Sequence, residues 1–457
     1  MSAGNQYAGE YDIKKCSIMS TKGIEFDIKN VIENISIFEN IFTETISGII
    51  TINDTTDVVN NAPILGEEKL KLLLTTPQKD KKPTTTIDFT KTPLDLYKIG
   101  NFMGESENSN MITLHFTSQE AYRNARVKIS KAYRGSCSEI LEKIFRDESF
   151  IGSKRPINIE ETTGLKKFIF PNVTPFSCFS MLSKQSNSKN YKLSPSYLFY
   201  ETTKGFNYRS IDGLCSQEPV LDYEENVPDQ LEKSGAKNVV NNLQTINEFT
   251  VVSPRDTIKN TMNGVFSSNM TVHDIYNKSL YNYSYNYFNN FDEDTHLNKA
   301  PMVSKSKDIH NNKGIGDFST SKKYVTISSS GQNFEELGKY SFKYDNLENI
   351  VMRRNSRMKQ LQNSFTLNMT VAGNTFIQAG DTINVTIGAS SSVTNRKNDP
   401  NYSGKYLITK IRHEFNNSGE EQTHMMYMSC IKESVSTEIP SGTVDYSNKL
   451  KPESIVL

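Results

Sequence analysis

The sequence predicts a fold of class α+β, mainly β, and three observations predict it. Apolar and polar residues alternate near both ends: Ile24, Phe26 and Ile28; Ile50 and Ile52; Ile112, Leu114 and Phe116; then Phe365, Leu367, Met369 and Val371. A period of two puts one face of a strand on a core and the other toward solvent. From about residue 120 to 215 the pattern changes to short amphipathic helices with their own start signals. Only 36% of the 457 residues are hydrophobic, and the polar, Asn- and Ser/Thr-rich remainder suits many short strands joined by loops.

In chain order, Ile35–Asp54 reads as two strands and Lys69–Leu74 as another, with Lys79–Thr86 as a charged hairpin tip. Ser136 and Glu139 have capping-box spacing, so each can satisfy an orphan backbone N–H at a helix start. Ile140, Leu141, Ile144 and Phe145 then share one helical face. Thr174-Pro175 starts a second helix, with Thr as cap and Pro at the first position. Lys167–Phe170 is a short strand between them, and Tyr197–Glu201 with Gly205–Asp212 is a hairpin turning at Thr202–Gly205. Residues 222–243 read as a linker or covering helix. Ser253–Gly264 has a helix's punctuation, with Ser as cap and Gly at the end. Residues 303–333 read as a long loop. Leu347–Leu361 is a helix with Ile350, Met358 and Leu361 inward and Arg353, Arg354 and Arg357 outward. Beyond it, Gly373-Asn374 reads as a hairpin turn and Ala379–Asp381 as a second turn before Ile383, Val385 and Ile387. Residues 389–402 read as a polar loop. Tyr406, Ile408 and Ile411 form a strand paired with Met425–Ile431.

Lys plus Arg number 52 and Asp plus Glu 52. This neutrality argues against a general nucleic-acid binder, which needs a basic surface. It also removes the long-range repulsion that would oppose packing against further copies. Five scattered cysteines, an odd number without a CxxC, point to a reduced compartment and not to a disulfide framework. Met1–Gly9 lacks the pattern of a secretory leader, and no apolar run of about 18 residues exists, so no membrane insertion is expected.

Four blocks, in order, resemble baseplate hub proteins of T4-like contractile-tailed bacteriophages, a tail-tube-like family also related to the N-terminal part of type VI secretion spike proteins. They are Ile35–Asp54 followed by Pro63-Ile-Leu-Gly-Glu-Glu68; Phe168–Phe176 followed by Tyr197–Glu201; Asn263–Asn277; and Val371–Val385 followed by Ser403–His413. The resemblance implies two tail-tube-type antiparallel β-barrel domains with a smaller inserted α+β domain. On that basis, 1–120 is the first barrel, completed by 205–245. The inserted domain is 121–215, the second barrel with its helix and long loops is 246–432, and 433–457 is an extended tail. It implies a homotrimer joining the hexameric tail tube to a trimeric central spike. Further implied partners are tube-initiator and wedge proteins, and DNA passing through without sequence reading. The implied location is the virion tail baseplate, assembled in the bacterial cytoplasm. The strands expected to build the ring walls are those at 46–52, 70–75, 365–371 and 382–387.

Neither catalytic residues nor a cofactor are expected. Asp292, Asp294 and His296, with Glu293, are candidate metal ligands, but they lack the glycine and distal Glu of an EF-hand, and a solvated acidic loop is the plainer reading. His273 beside Asp274 suggests a base and its orienter, but no nucleophile motif accompanies it. His413 falls on a strand, where cross-strand packing accounts for it. The run Tyr281–Phe288 places tyrosines on one strand face, suited to an interface or to stacking on sugars. An adhesin that contacts glycans through this run is therefore the alternative function, with a cell-wall-degrading tail enzyme behind it.

Overall fold

A computed structural model of the chain describes residues 9–54, 64–76, 85–106, 109–191, 194–225, 244–253, 256–275, 278–305, 312–327, 333–334, 347–388, 398–399, 401–417 and 422–437. The first strands are β1 (Asp12–Met19), β2 (Glu25–Asp27), β3 (Ile32–Asn40), β4 (Ser47–Asp54), β5 (Lys69–Thr76), β6 (Thr85–Asp88), β7 (Leu94–Ser106) and β8 (Ser109–Thr117). They lie in the order β2-β1-β5-β7-β8-β4-β3, with β6 on the side of β5. All pairings are antiparallel. Isoleucines dominate the enclosed core: Ile13, Ile35, Ile50, Ile52 and Ile112 pack with Leu72, Leu114 and Phe116. β-Branched side chains suit this pleated, half-buried surface. Gly48 is required for packing, because a Cβ there would sit 2.1 Å from the Phe116 ring.

The α+β module follows: α1 (Gln119–Arg126), β9 (Ile129–Gly135), α2 (Cys137–Arg146), β10 (Ile157–Ile159), β11 (Leu165–Val173), α3 (Pro175–Gln185), β12 (Tyr197–Thr202), β13 (Gly205–Ser210) and α4 (Ile211–Cys215). The capping box forms as read: Ser136 accepts from the Glu139 amide, and Glu139 accepts from the Ser136 amide at 3.1 Å. Phe145, Phe179, Phe199 and Phe206 make an aromatic core beneath α2 and α3.

The remaining elements are β14 (Asp222–Glu225), β15 (Thr245–Ser253), α5 (Thr257–Met262), β16 (Ser267–Asp274), β17 (Ser279–Asn286), α6 (Tyr287–Asn290), β18 (Ala300–Pro301), β19 (Lys323–Ile327), β20 (Asn333–Phe334), a π-helical turn Glu348–Arg353 leading into α7 (Arg354–Asn363), β21 (Phe365–Ala372), β22 (Thr382–Thr386), β23 (Gly404–Asn416), β24 (Thr423–Lys432) and β25 (Ser434–Val435). β23-β22-β14-β15-β21-β24 close on themselves through the β23–β24 pairing, forming a six-stranded barrel. β23, at 13 residues, runs through both halves of the molecule. Its residues 404–407 pair with β22, and its residues 410–416 pair with β3. The register shift between Ile408 and Lys410 bends it at the crossing. The start of the chain is tied to β23 and β24 near the same place. The His424 amide donates to the Gly9 carbonyl at 2.7 Å, and the Tyr11 hydroxyl to the Asn416 carbonyl at 3.1 Å.

Several expectations are corrected. The described residues of 205–245 do not pair with the first barrel: β13 pairs within the module, and β14 is parallel to β22 and β15 in the second barrel. Gly373-Asn374 is not a hairpin turn, since β21 pairs with β15 and β24 and not with β22. Asp256, not Ser253, caps α5. β19 interrupts the loop expected over 303–333. The tail does not begin at 433: Glu433 is buried and β25 pairs with β18. Residues 438–457, all of 226–243, most of the hairpin tip expected at 79–86, and residues 389–397 and 400 of the expected polar loop lie outside the described residues.

Candidate functional site: the shared wall and the polar core that braces it

Where the two barrels meet, β3, β23, β24, β21 and β15 form one continuous wall. Its outer face holds a groove of about 480 Å³ lined by Phe38, Phe249, Thr370, Lys410, Arg412 and Tyr427, among others. Alternation along β23 puts Lys410, Arg412 and Glu414 on this face and Ile411, His413 and Phe415 inside. Arg412 pairs with Glu414 at 2.7 Å and lies over the Tyr427 ring at 5.3 Å. Inside, the His413 Nδ1 is 3.2 Å from the His424 Nε2. Burial pushes the His413 pKa down to about 4 and holds that of His424 well below its usual value, with His413 beside it adding to the effect.

Buried carboxylates clasp the module to the wall. Glu39, on β3, accepts from the Thr203 amide at 2.6 Å and the Ala379 amide at 2.7 Å. One side chain thus ties the first barrel, the β12–β13 turn and the segment before β22. Glu201 accepts from the Ile46 amide at 3.0 Å and forms a buried ion pair with Arg155.

A larger polar cluster centres on Arg357. Its guanidinium donates to Asp212 at 2.6 Å, to the Thr295 carbonyl at 2.7 Å, and lies 3.2 Å from the His296 Nδ1. Arg353 donates to Asp294 at 2.8 Å. His296 meets Glu433 at 2.8 Å and the Phe291 carbonyl at 3.0 Å, and Glu433 also accepts from the Leu297 amide at 2.7 Å. Burial opposes the charge on Arg357, but Asp212, Asp294 and Glu433 hold its pKa well above the usual value. Burial alone would raise Glu433; His296 and Arg357 beside it keep its carboxyl below the usual range.

The candidate metal ligands are thereby located. Asp294 and His296 face protein partners, whereas Asp292 and Glu293 stay exposed on a 3-10 turn. Among the described residues no group of three or more His, Cys, Asp or Glu side chains is arranged to hold a metal ion. The solvated-loop reading is corrected for Asp294, and the outward placement of Arg353 and Arg357 is corrected as well. Both arginines are buried, because carboxylates from α4, the 291–296 segment and Glu433 meet them there. His273 is exposed and Asp274 buried on opposite faces of β16, so they do not form a base and orienter. The tyrosine run divides. Tyr285 and Tyr287 face this chain's own core with Met270 and Met352 and are not open to a ligand, whereas Tyr281, at the other end of the run, is exposed. The other face of the β17-β16-β19 sheet is the exposed one, where Leu280 is 67%, Val325 76% and Ile327 60% exposed.

Glu39, Glu201, Asp212 and Glu433 were not singled out by sequence reasoning. The signal present for the first two is an acidic residue set inside an apolar strand, in Ile-Phe-Glu and Leu-Phe-Tyr-Glu.

No protein-family model and no curated protein sequence matches the chain. Solved structures do resemble it. One is a tail protein of Neisseria meningitidis MC58, at 12% identity and a TM-score of 0.48, over 93% of this chain and 97% of that one. Another is the 43 kDa tail protein of prophage MuSo2 from Shewanella oneidensis, at 9% identity and a TM-score of 0.49, over 93% and 99%. A third is an Escherichia coli type VI secretion component described as structurally similar to T4 bacteriophage tail proteins, at 9% identity and a TM-score of 0.40, over 93% and 77%.

Proposed function

We propose that this chain is a structural subunit of a phage tail baseplate, a hub of three copies that joins a hexameric tail tube to a trimeric central spike. The observation that carries this reading is the double barrel fused through β23. Two barrels in one rigid wall, repeated by a threefold axis, present six barrel units on one side while keeping threefold symmetry on the other. Ring closure turns many modest contacts into one stable assembly. The apolar outer face at Leu280, Val325 and Ile327 serves as a subunit contact, since patches of that kind mark interaction sites. The groove face along Arg412 and Tyr427 turns toward the channel, where balanced charge lets DNA pass without being held. Tube-initiator and wedge proteins are further contacts in this reading. The role is not enzymatic, and the buried acids and bases serve to join segments. The location that follows is the virion tail, after assembly in the host cytoplasm.

Electron microscopy of the purified chain tests this. The expected class averages are rings with a central opening and six peripheral lobes, which stack on tube protein from the same phage. Isolated particles that bind neither tube nor spike protein would count against the reading.

A further inference from the structure

The register of the β17-β16-β19 sheet fixes what its exposed face presents. His273 on β16 lies opposite Leu280 on β17 and Ile327 on β19, and Thr271 lies opposite Asn282 and Val325. Leu280, Val325 and Ile327 therefore share one contiguous patch, and Ile275 adjoins it, 55% exposed. Clustered aliphatic side chains of this kind differ from the single apolar residues scattered over any surface.

The charges around the patch have one sign. Lys323 lies on the same face, opposite Asn269, and Lys278 stands at the β16–β17 turn; both are exposed. Among the described residues no carboxylate pairs with either. Asp274, at the same turn, is buried on the opposite face, and Asp317, on the 3-10 turn Ile315–Asp317, accepts from the Gly314 amide at 2.8 Å. Set against the same patch of another copy, this face would bring lysines together. It fits a different face, which is the heterologous kind of contact that closes a ring.

The chain carries a face of opposite charge. A hollow of about 670 Å³ beside the start of α2 holds Glu139, Glu142 and Glu161, with Ile159 and Leu165 among them. Lys189 is the one cation in its lining, and it pairs with Glu161 at 2.6 Å. Two acids are left over, against two lysines on the patch.

We infer that the exposed face of the β17-β16-β19 sheet seats on the acidic hollow of the α+β module in a second copy of the chain. This rests on the ring reading above and names the two faces that meet. The aliphatic side chains leave water at the centre of the contact, and the lysines meet the acids at its rim, which sets the register of the two copies.

Cysteine cross-linking of the full chain is the test, read beside its native mass. All five native cysteines are buried, so introduced ones report alone. Val325→Cys with Thr163→Cys in one chain is expected to give covalent dimers and trimers on mild oxidation, and neither substitution alone does. Val325→Glu, at an exposed position, sets a carboxylate against the hollow and weakens association roughly tenfold or more. A trimeric native mass without cross-links overturns the pairing and leaves the ring reading standing, whereas a monomer in both measurements removes the ring reading as well. Efficient dimers from Val325→Cys alone overturn the pairing, because the patch then meets itself. A Val325→Glu chain that associates normally but melts earlier also overturns it, because the patch is then covered by its own chain.

Discussion

The first barrel and the Arg357 cluster are two opposite ways of filling an interior. The barrel core is built from Ile, Leu and Phe, each buried against neighbours from the same run of strands. The Arg357 cluster is ionic, and its members come from α4, the 291–296 segment, α7 with the π-helical turn before it, and Glu433. Aliphatic packing is tolerant in geometry and supplies stability by area. A buried ion cluster supplies little net stability but is costly to leave half-made. The difference suggests a division of labour: the barrels hold themselves together, and the polar clusters fix how the segments sit on one another.

The largest expected effect breaks the ionic side. Arg357→Met leaves the buried Asp212 without its cation and removes one of the cations beside Asp294 and Glu433, and a loss of about 3–5 kcal/mol is expected in a denaturant melt. Next is the aliphatic side. Leu114 lies on β8 between β4 and β7 and is fully buried, so Leu114→Ala is expected to cost about 2–4 kcal/mol. If the two regions act as proposed, Leu114→Ala lowers overall stability with the module still docked, whereas Arg357→Met also raises proteolysis at the seams.

Much of the barrel was legible because strand alternation is a local signal. Ile50, Ile52, Leu114 and Met369 announce their faces within a few residues. The capping box at Ser136 and Glu139 was legible for the same reason. The direction of Arg353 and Arg357 was not. Their partners lie 59 and 145 residues away, and nothing near them distinguishes a buried arginine from a solvated one. The role of β14 was hidden too, because four residues within a charged stretch carry no periodicity, and only the parallel neighbours β22 and β15 make them a strand.

A smaller effect sharpens the comparison through pH. His413 is held neutral by burial, with its pKa lowered from 6.5 to about 4. The unfolded chain binds the proton more tightly, so stability is full above about pH 6.5 and falls as pH drops toward about 4. Chemical melts across that window are expected to show the loss, with a shallower slope for His413→Phe. A slope unchanged by the substitution would assign the effect elsewhere. The smallest effect lies in the module: Ser136→Ala removes the cap of α2 and is expected to cost about 1 kcal/mol.

The native mass of the purified chain, by native mass spectrometry or light scattering at micromolar concentration, tests the central proposal most directly. A discrete species at three times the 51.8 kDa chain mass is the expected result. A monomer that remains a monomer when tube and spike proteins are added would contradict it.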